Sequence, residues 1–135
     1  MTEKAALDES LKSFILEYIE SVGQLEVLKL LATHPKKEWS ASMVSQELRG
    51  NDSSTAKYLA DFSSKGIFIE TSKIQKERLY RYQPKNEELA AKVAALIAAY
   101  ATYNLRIITL IYDRPVERLR GFADAFKIRK DPKDG

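Results

Sequence analysis

Residues 53–67 read Ser53-Ser-Thr-Ala-Lys57-Tyr-Leu59-Ala-Asp-Phe62-Ser-Ser-Lys65-Gly66-Ile67: a small hydroxylated entry, apolar residues three apart, and a Lys-Gly-Ile exit. Asp52 or Ser53 is suited to cap a helix over Ser54 to Lys65, with Ala56, Leu59, Ala60 and Phe62 turned inward. Gly66 closes it as a left-handed residue. Beyond it, Ile67-Phe-Ile-Glu-Thr71 is β-branched and aromatic. Arg78-Leu-Tyr-Arg-Tyr82 alternates, with Tyr80 and Tyr82 on one side and Leu79 and Arg81 on the other. The two read as paired strands joined by the polar, basic connection Ser72 to Glu77 and stopped by Pro84.

Working back toward the N-terminus, Met43, Val44 and Leu48 give a short helix over Ala41 to Arg49 behind the cap Ser40, separated from the next helix by Gly50-Asn51-Asp52. Trp39 lies in a short extended stretch as a core or domain-joint anchor. Ser21-Val-Gly-Gln24 fits a capping box, with the Gln24 side chain reaching back to the Ser21 amide, and opens a helix carrying Leu25, Leu28, Leu31 and Ala32 that ends at His34-Pro35. Leu11, Phe14, Ile15, Tyr18 and Ile19 form one face of a first helix capped by Asp8. Toward the C-terminus, Asn86 caps a single long helix extending to about Tyr112, uncharged between Lys92 and Arg106 and rich in alanine. That uncharged window is too short to cross a bilayer. Val116, Leu119, Phe122 and Phe126 mark a last short helix before a basic tail.

Composition removes several chemistries. With no cysteine and one histidine among 135 residues, a disulfide framework, thiolate catalysis and a nitrogen- or sulfur-rich metal site are disfavoured. His34 beside Pro35 reads as a carbonyl-capping or exposed residue, and the five glycines are too dispersed for a phosphate-cradling loop. No enzyme activity and no cofactor are expected. The opening residues lack a secretory layout, so a cytoplasmic location is expected. The formal charge of +3 is small, but it is uneven: residues 53–84 hold six Lys/Arg against three Asp/Glu, while residues 1–32 hold three against six.

The order helix, short strand, helix, turn, helix, hairpin, long helix is mainly α with a small β-hairpin. Val44-Ser-Gln-Glu-Leu48, the segment 53–67, and Glu70, Arg78, Tyr80 and Tyr82 make residues 21–84 resemble the bacterial winged helix-turn-helix transcriptional regulators of the broad MarR, ArsR and PadR type. The resemblance implies a winged helix-turn-helix flanked by an N-terminal helix (1–20) and a long C-terminal helix. It also implies a DNA-binding transcriptional regulator with a recognition helix at about 53–65 in the major groove and a basic wing at 72–78 on the backbone.

The residues agree with that expectation. Ser54, Lys57, Tyr58 and Asp61 recur at helical spacing as a reading face. Ser53, Ser54 and Thr55 supply hydroxyls at the helix start. Lys73, Gln75, Lys76 and Arg78 are the expected wing contacts with double-stranded DNA. The region 85–128 is read as a helical dimerisation region, and 129–135 as a frayed basic tail. Val93, Leu96, Ile97, Tyr100, Tyr103, Ile107 and Ile111 form the expected homodimer seam, with an intrachain core spine as the other reading of the same residues. A winged-helix module that holds another protein without sequence-specific DNA binding is the alternative function. A small-molecule effector cleft between the N-terminal and long helices, lined by Tyr18, Tyr100 and Tyr103, is left open.

Overall fold

A computed structural model describes residues 8–113. Its elements are α1 (Glu9–Tyr18), α2 (Val22–Thr33), α3 (Ala41–Leu48), α4 (Asp52–Ser64), β1 (Phe68–Ile74), β2 (Glu77–Tyr82), α5 (Glu87–Thr102) and α6 (Asn104–Asp113). The last short helix expected around Val116 to Phe126, the basic tail and the first seven residues of the sequence lie outside the described residues.

Side-chain caps set most of the helix starts. Asp8 accepts from the Leu11 amide, Ser21 from Gln24, Ser40 from Met43 and Asn86 from Leu89, each as its sequence predicts. The cap of α4 is Asn51, which accepts from the Ser54 amide, so Asp52 becomes the first helical residue instead of the cap. The capping box of α2 is also altered. Gln24 Oε1 takes the Glu20 amide at 2.6 Å rather than that of Ser21, which leaves its Nε2 free to donate to Asp61 of α4 at 2.7 Å. His34 is the exposed C-cap of α2, and its Nδ1 donates to the Leu30 carbonyl at 3.0 Å.

β1 and β2 pair antiparallel, and the strands run further than the sequence suggests. The segment 72–77 is mostly strand, and only Gln75 and Lys76 form the turn, both at positive φ (51° and 73°). That is the backbone of a tight two-residue hairpin, which normally carries Asn-Gly or Asp-Gly; without that signal the turn reads as a longer loop. Between Glu70 and Ser72 the register shifts, leaving Thr71 as an extra residue. Trp39 adds a one-residue third strand, exchanging two 2.8 Å backbone hydrogen bonds with Tyr80. Its ring is 3% exposed, and Lys37 lies 4.1 Å from the ring centroid. Gly66 sits at φ 83°, where its carbonyl receives the Lys85 amide and ties the start of the hairpin to its exit.

The core is one continuous cluster. Leu25, Leu28 and Leu31 of α2, Val44 of α3, Leu59 and Phe62 of α4, Ile67, and Val93 and Leu96 of α5 are fully buried. α1 packs on both α5 and α6. The predicted long helix is two helices bent by 111°, with Tyr103 ending α5 and its carbonyl accepting the first hydrogen bond of α6 from Ile107. Thr102 and Asn104 flank the corner, and both are weak helix formers, which is the local reason the break falls there. The bend brings Ile107 and Ile111 back onto the core. No single described helix is long and apolar enough to cross a membrane.

Tyr100 links the two halves. Its hydroxyl donates to Glu26 of α2 at 2.6 Å. Burial first, and then the hydrogen bond to and charge of Glu26, push its pKa from 10.0 up to about 12. A raised folded value for a group that is neutral when protonated means stability that is fully present below pH 10 and is lost as pH rises toward 12. Tyr100→Phe is expected to cost about 1 kcal/mol at neutral pH, from the lost hydrogen bond to a charged acceptor, and to flatten that alkaline decline. Urea melts at pH 7 and pH 11 measure both.

Candidate nucleic-acid interface

The hairpin and α4 carry the residues that the sequence nominates. At the wing, Lys73, Gln75, Lys76 and Arg78 are all exposed. The register sets Lys73 directly opposite Arg78. Like charges facing each other across an antiparallel pair destabilise it, so this hairpin tolerates a repulsion that folding alone does not require. The nearest carboxylate contact is loose: Glu70 Oε2 is 3.9 Å from Arg78 Nε. Glu77 turns instead toward the start of α3, accepting from the Ser42 hydroxyl at 3.1 Å and amide at 3.4 Å. The tip is therefore left with Lys73, Lys76 and Arg78 as a cationic cluster, with Ile74 exposed among them.

On α4 the outward face differs from the one predicted. Ser53, Ser54 and Lys57 are exposed, but so are Ala56 and Ala60, which the sequence pattern turns inward. Tyr58 is half-buried, and its hydroxyl accepts from Ser21 at 3.3 Å; Asp61 accepts from Gln24 and is paired with Lys65 at 2.9 Å. Tyr58 and Asp61 therefore hold α4 against the start of α2. Thr55 is 5% exposed, and its hydroxyl receives the Ser45 hydroxyl at 3.1 Å inside the α3–α4 joint. As a reading residue Thr55 is corrected to a structural one, because its side chain has no access to a ligand outside the fold. The outward strip is Ser53, Ala56, Lys57, Ala60 and Ser64, a shallow surface with one cation. Alanine is what hid the rotation: a methyl group carries so little hydrophobic information that the pattern fits either orientation. Asp52 occupies the first turn, so positive charge here comes from Lys57 and the wing rather than from the helix end.

The expected dimer seam is mostly interior. Val93, Leu96 and Ile107 are fully buried within the chain, and Ile111 and Tyr100 are 3% and 8% exposed. These five are corrected to the intrachain spine, because their side chains are already buried in the chain's own core cluster. Ile97 and Tyr103 are half-exposed. The large apolar side chains left outside on α6 are Leu105 (75% exposed) and Tyr112 (69%), with half-buried Ile108 between them at helical spacing. Tyr18 and Tyr103 do line cavities between α1 and α5, whereas the Tyr100 hydroxyl is committed to Glu26 on α2.

No protein-family model matches the chain, and no curated protein matches it. Among solved structures, the chain is similar to one described as a possible transcriptional regulator from Methanosarcina mazei Go1, at 14% identity and TM-score 0.50, over 75% of this chain and 85% of that one. It also overlaps a mutant of MepR from a multidrug resistant S. aureus clinical isolate (11% identity, TM-score 0.48, 93% and 88% of the two chains). A mutant of ZitR from Lactococcus lactis overlaps as well (14%, 0.43, 81% and 74%). Together with the element order and the paired wing, the first of these likenesses shows that the chain has the winged helix-turn-helix fold.

Proposed function

We propose that this chain is a DNA-binding transcriptional regulator that acts as a homodimer, laying the outward strip of α4 in the major groove and the wing against the flanking backbone. The observation that carries this reading is the cross-strand pair Lys73 and Arg78. A surface hairpin gains nothing for its own stability from opposed cations, whereas a polyanion relieves their repulsion. Exposed Lys57 and Ser53 on α4 supply the second contact region, and Ala56 and Ala60 let the helix approach base edges closely, thymine methyl groups in particular. Dimerisation is assigned to the outer stripe of α6, Leu105, Ile108 and Tyr112, in place of the buried residues of α5. A regulatory role fits the solved structure of the same fold that is described as a possible transcriptional regulator.

The test is retention on mixed-sequence duplex at two ionic strengths. A dimer engaging six phosphates is expected to lose on the order of a thousandfold in affinity between about 50 and 200 mM salt. Replacing both Lys57 and Lys76 by alanine is expected to weaken binding on the order of a thousandfold at the lower salt, far less at the higher, and to flatten the salt slope by about two units per chain. Salt-insensitive retention, or retention unchanged in the double variant, would refute the groove arrangement. A partner captured from nuclease-treated lysate by a protein that ignores duplex would favour the protein-binding module instead.

A further inference from the structure

The first amides of a helix have no partner within the helix and need acceptors from elsewhere. In α3 the Ser40 hydroxyl takes the Met43 amide at 3.2 Å, and the Ser40 carbonyl takes Val44 at 3.0 Å. The Ser42 amide is taken by the wing. Glu77 Oε2 accepts it at 3.4 Å while Oε1 accepts the Ser42 hydroxyl at 3.1 Å, so one carboxylate beside the hairpin turn holds two donors of a single residue. The first turn of α3 contains no acid of its own, and Glu77 supplies the negative charge that suits this end of a helix. Ser42 is backed from inside as well. The hydroxyl of Ser40, a residue 3% exposed, lies 3.2 Å from the Ser42 hydroxyl and can donate to it, because its own lone pair already serves Met43.

α3 passes the contact on to α4. Ser45, within the same turn as Ser42, donates to Thr55 in the buried joint, and Ser42, Ser45 and Gln46 share a shallow hollow with Gly50 and Asp52 at the start of α4. The root of the hairpin is fixed by backbone pairing of Trp39 with Tyr80 and of Gly66 with Lys85; its turn end is fixed by Glu77. Charge alone gives Glu77 no place in a phosphate contact. It stands in sequence between Lys76 and Arg78, where a carboxylate opposes the approach of a polyanion, so it can favour one only through the geometry of the wing. We infer that Glu77 is a positioning residue: by bonding Ser42 it holds the hairpin tip against α3, which sets where Lys73, Lys76 and Arg78 stand relative to Lys57 and Ser53 on α4. This role presupposes the DNA-binding proposal, whereas the contact itself does not.

Glu77→Gln and Glu77→Ala remove the same charge, but only glutamine keeps an acceptor for Ser42. Comparing the two therefore cancels the gain that losing a carboxylate brings near phosphate. Glu77 is exposed, and both variants are expected to fold as the wild type does. At about 50 mM salt Glu77→Ala is expected to bind mixed-sequence duplex on the order of thirtyfold more weakly than Glu77→Gln. Its salt slope is expected to be flatter by about one unit per chain, as a freed wing loses on average one phosphate contact. A residue that merely stabilised the fold would shift the melting temperature and leave that slope alone. Exchange of the Ser42 amide, followed by NMR without nucleic acid, is expected to be on the order of threefold faster in Glu77→Ala than in Glu77→Gln. Equal affinity and slope in the two variants, or equal exchange, would overturn the positioning role even where the wild type binds duplex. A wild type without salt-dependent retention on duplex would overturn the DNA-binding proposal, and the role of Glu77 with it.

Discussion

Lys73→Glu is expected to make the fold firmer and the protein a worse DNA binder in the same stroke. The substitution turns the opposed Lys73 and Arg78 into an attractive cross-strand pair, worth about 0.5 kcal/mol at an exposed position. At the wing the same change replaces a phosphate attraction by a repulsion, expected to cost on the order of a hundredfold in affinity for duplex at low salt. The two effects are read separately, by thermal unfolding and by duplex titration. Opposite signs are the signature of a charge kept for a partner at the expense of the hairpin. A variant that is more stable yet binds duplex as well as the wild type would remove the wing from the interface.

Leu105→Asp is expected to convert the proposed dimer into a folded monomer. Leu105 is 75% exposed, so a carboxylate there meets water within one chain, whereas in a seam formed by the Leu105, Ile108 and Tyr112 stripe it would be buried unpaired. The dissociation constant is expected to rise by more than about a hundredfold, corresponding to roughly 3 kcal/mol or more for an uncompensated buried charge. Ile107→Asp makes the contrast: Ile107 is fully buried inside the chain, and its replacement is expected to unfold the protein rather than divide it. Sedimentation with circular dichroism separates the two. If Leu105→Asp sediments exactly as the wild type does, α6 is not the seam.

How far the sequence could be read depended on the kind of information each residue carries. Caps are chemically explicit, so Asp8, Ser21, Ser40 and Asn86 located four helix starts correctly, and Gly66 located the end of α4. The aromatic and β-branched residues around Phe68 and Tyr80 gave the hairpin. What failed is what depends on neighbours. A run of alanines and large aliphatics does not say whether its cover comes from the same chain or from another, so Val93 and Leu96 fit a seam as well as a spine in the sequence, and only their full burial in the chain's own core decides between the two. The corner at Tyr103 rests on small differences in helix propensity at Thr102 and Asn104, too slight to outweigh a continuous apolar pattern. Thr55 and Ser54 are adjacent hydroxyl residues with the same composition signal, yet one points into the α3–α4 joint and the other into solvent. Only the packing angle of α4 separates them.

Thr71, the extra residue in β1, bears on how two such chains would measure a stretch of duplex. The hairpin pairs regularly on either side of it, so removing Thr71 would keep every partner from Glu70 with Tyr80 to Ile74 with Glu77 while straightening the strand. The chemistry of the tip would be untouched and only its steering would change. In a symmetric pair of chains the swing is doubled, so the gap between the two half-sites becomes a quantity that evolution or an engineer can adjust at a single threonine.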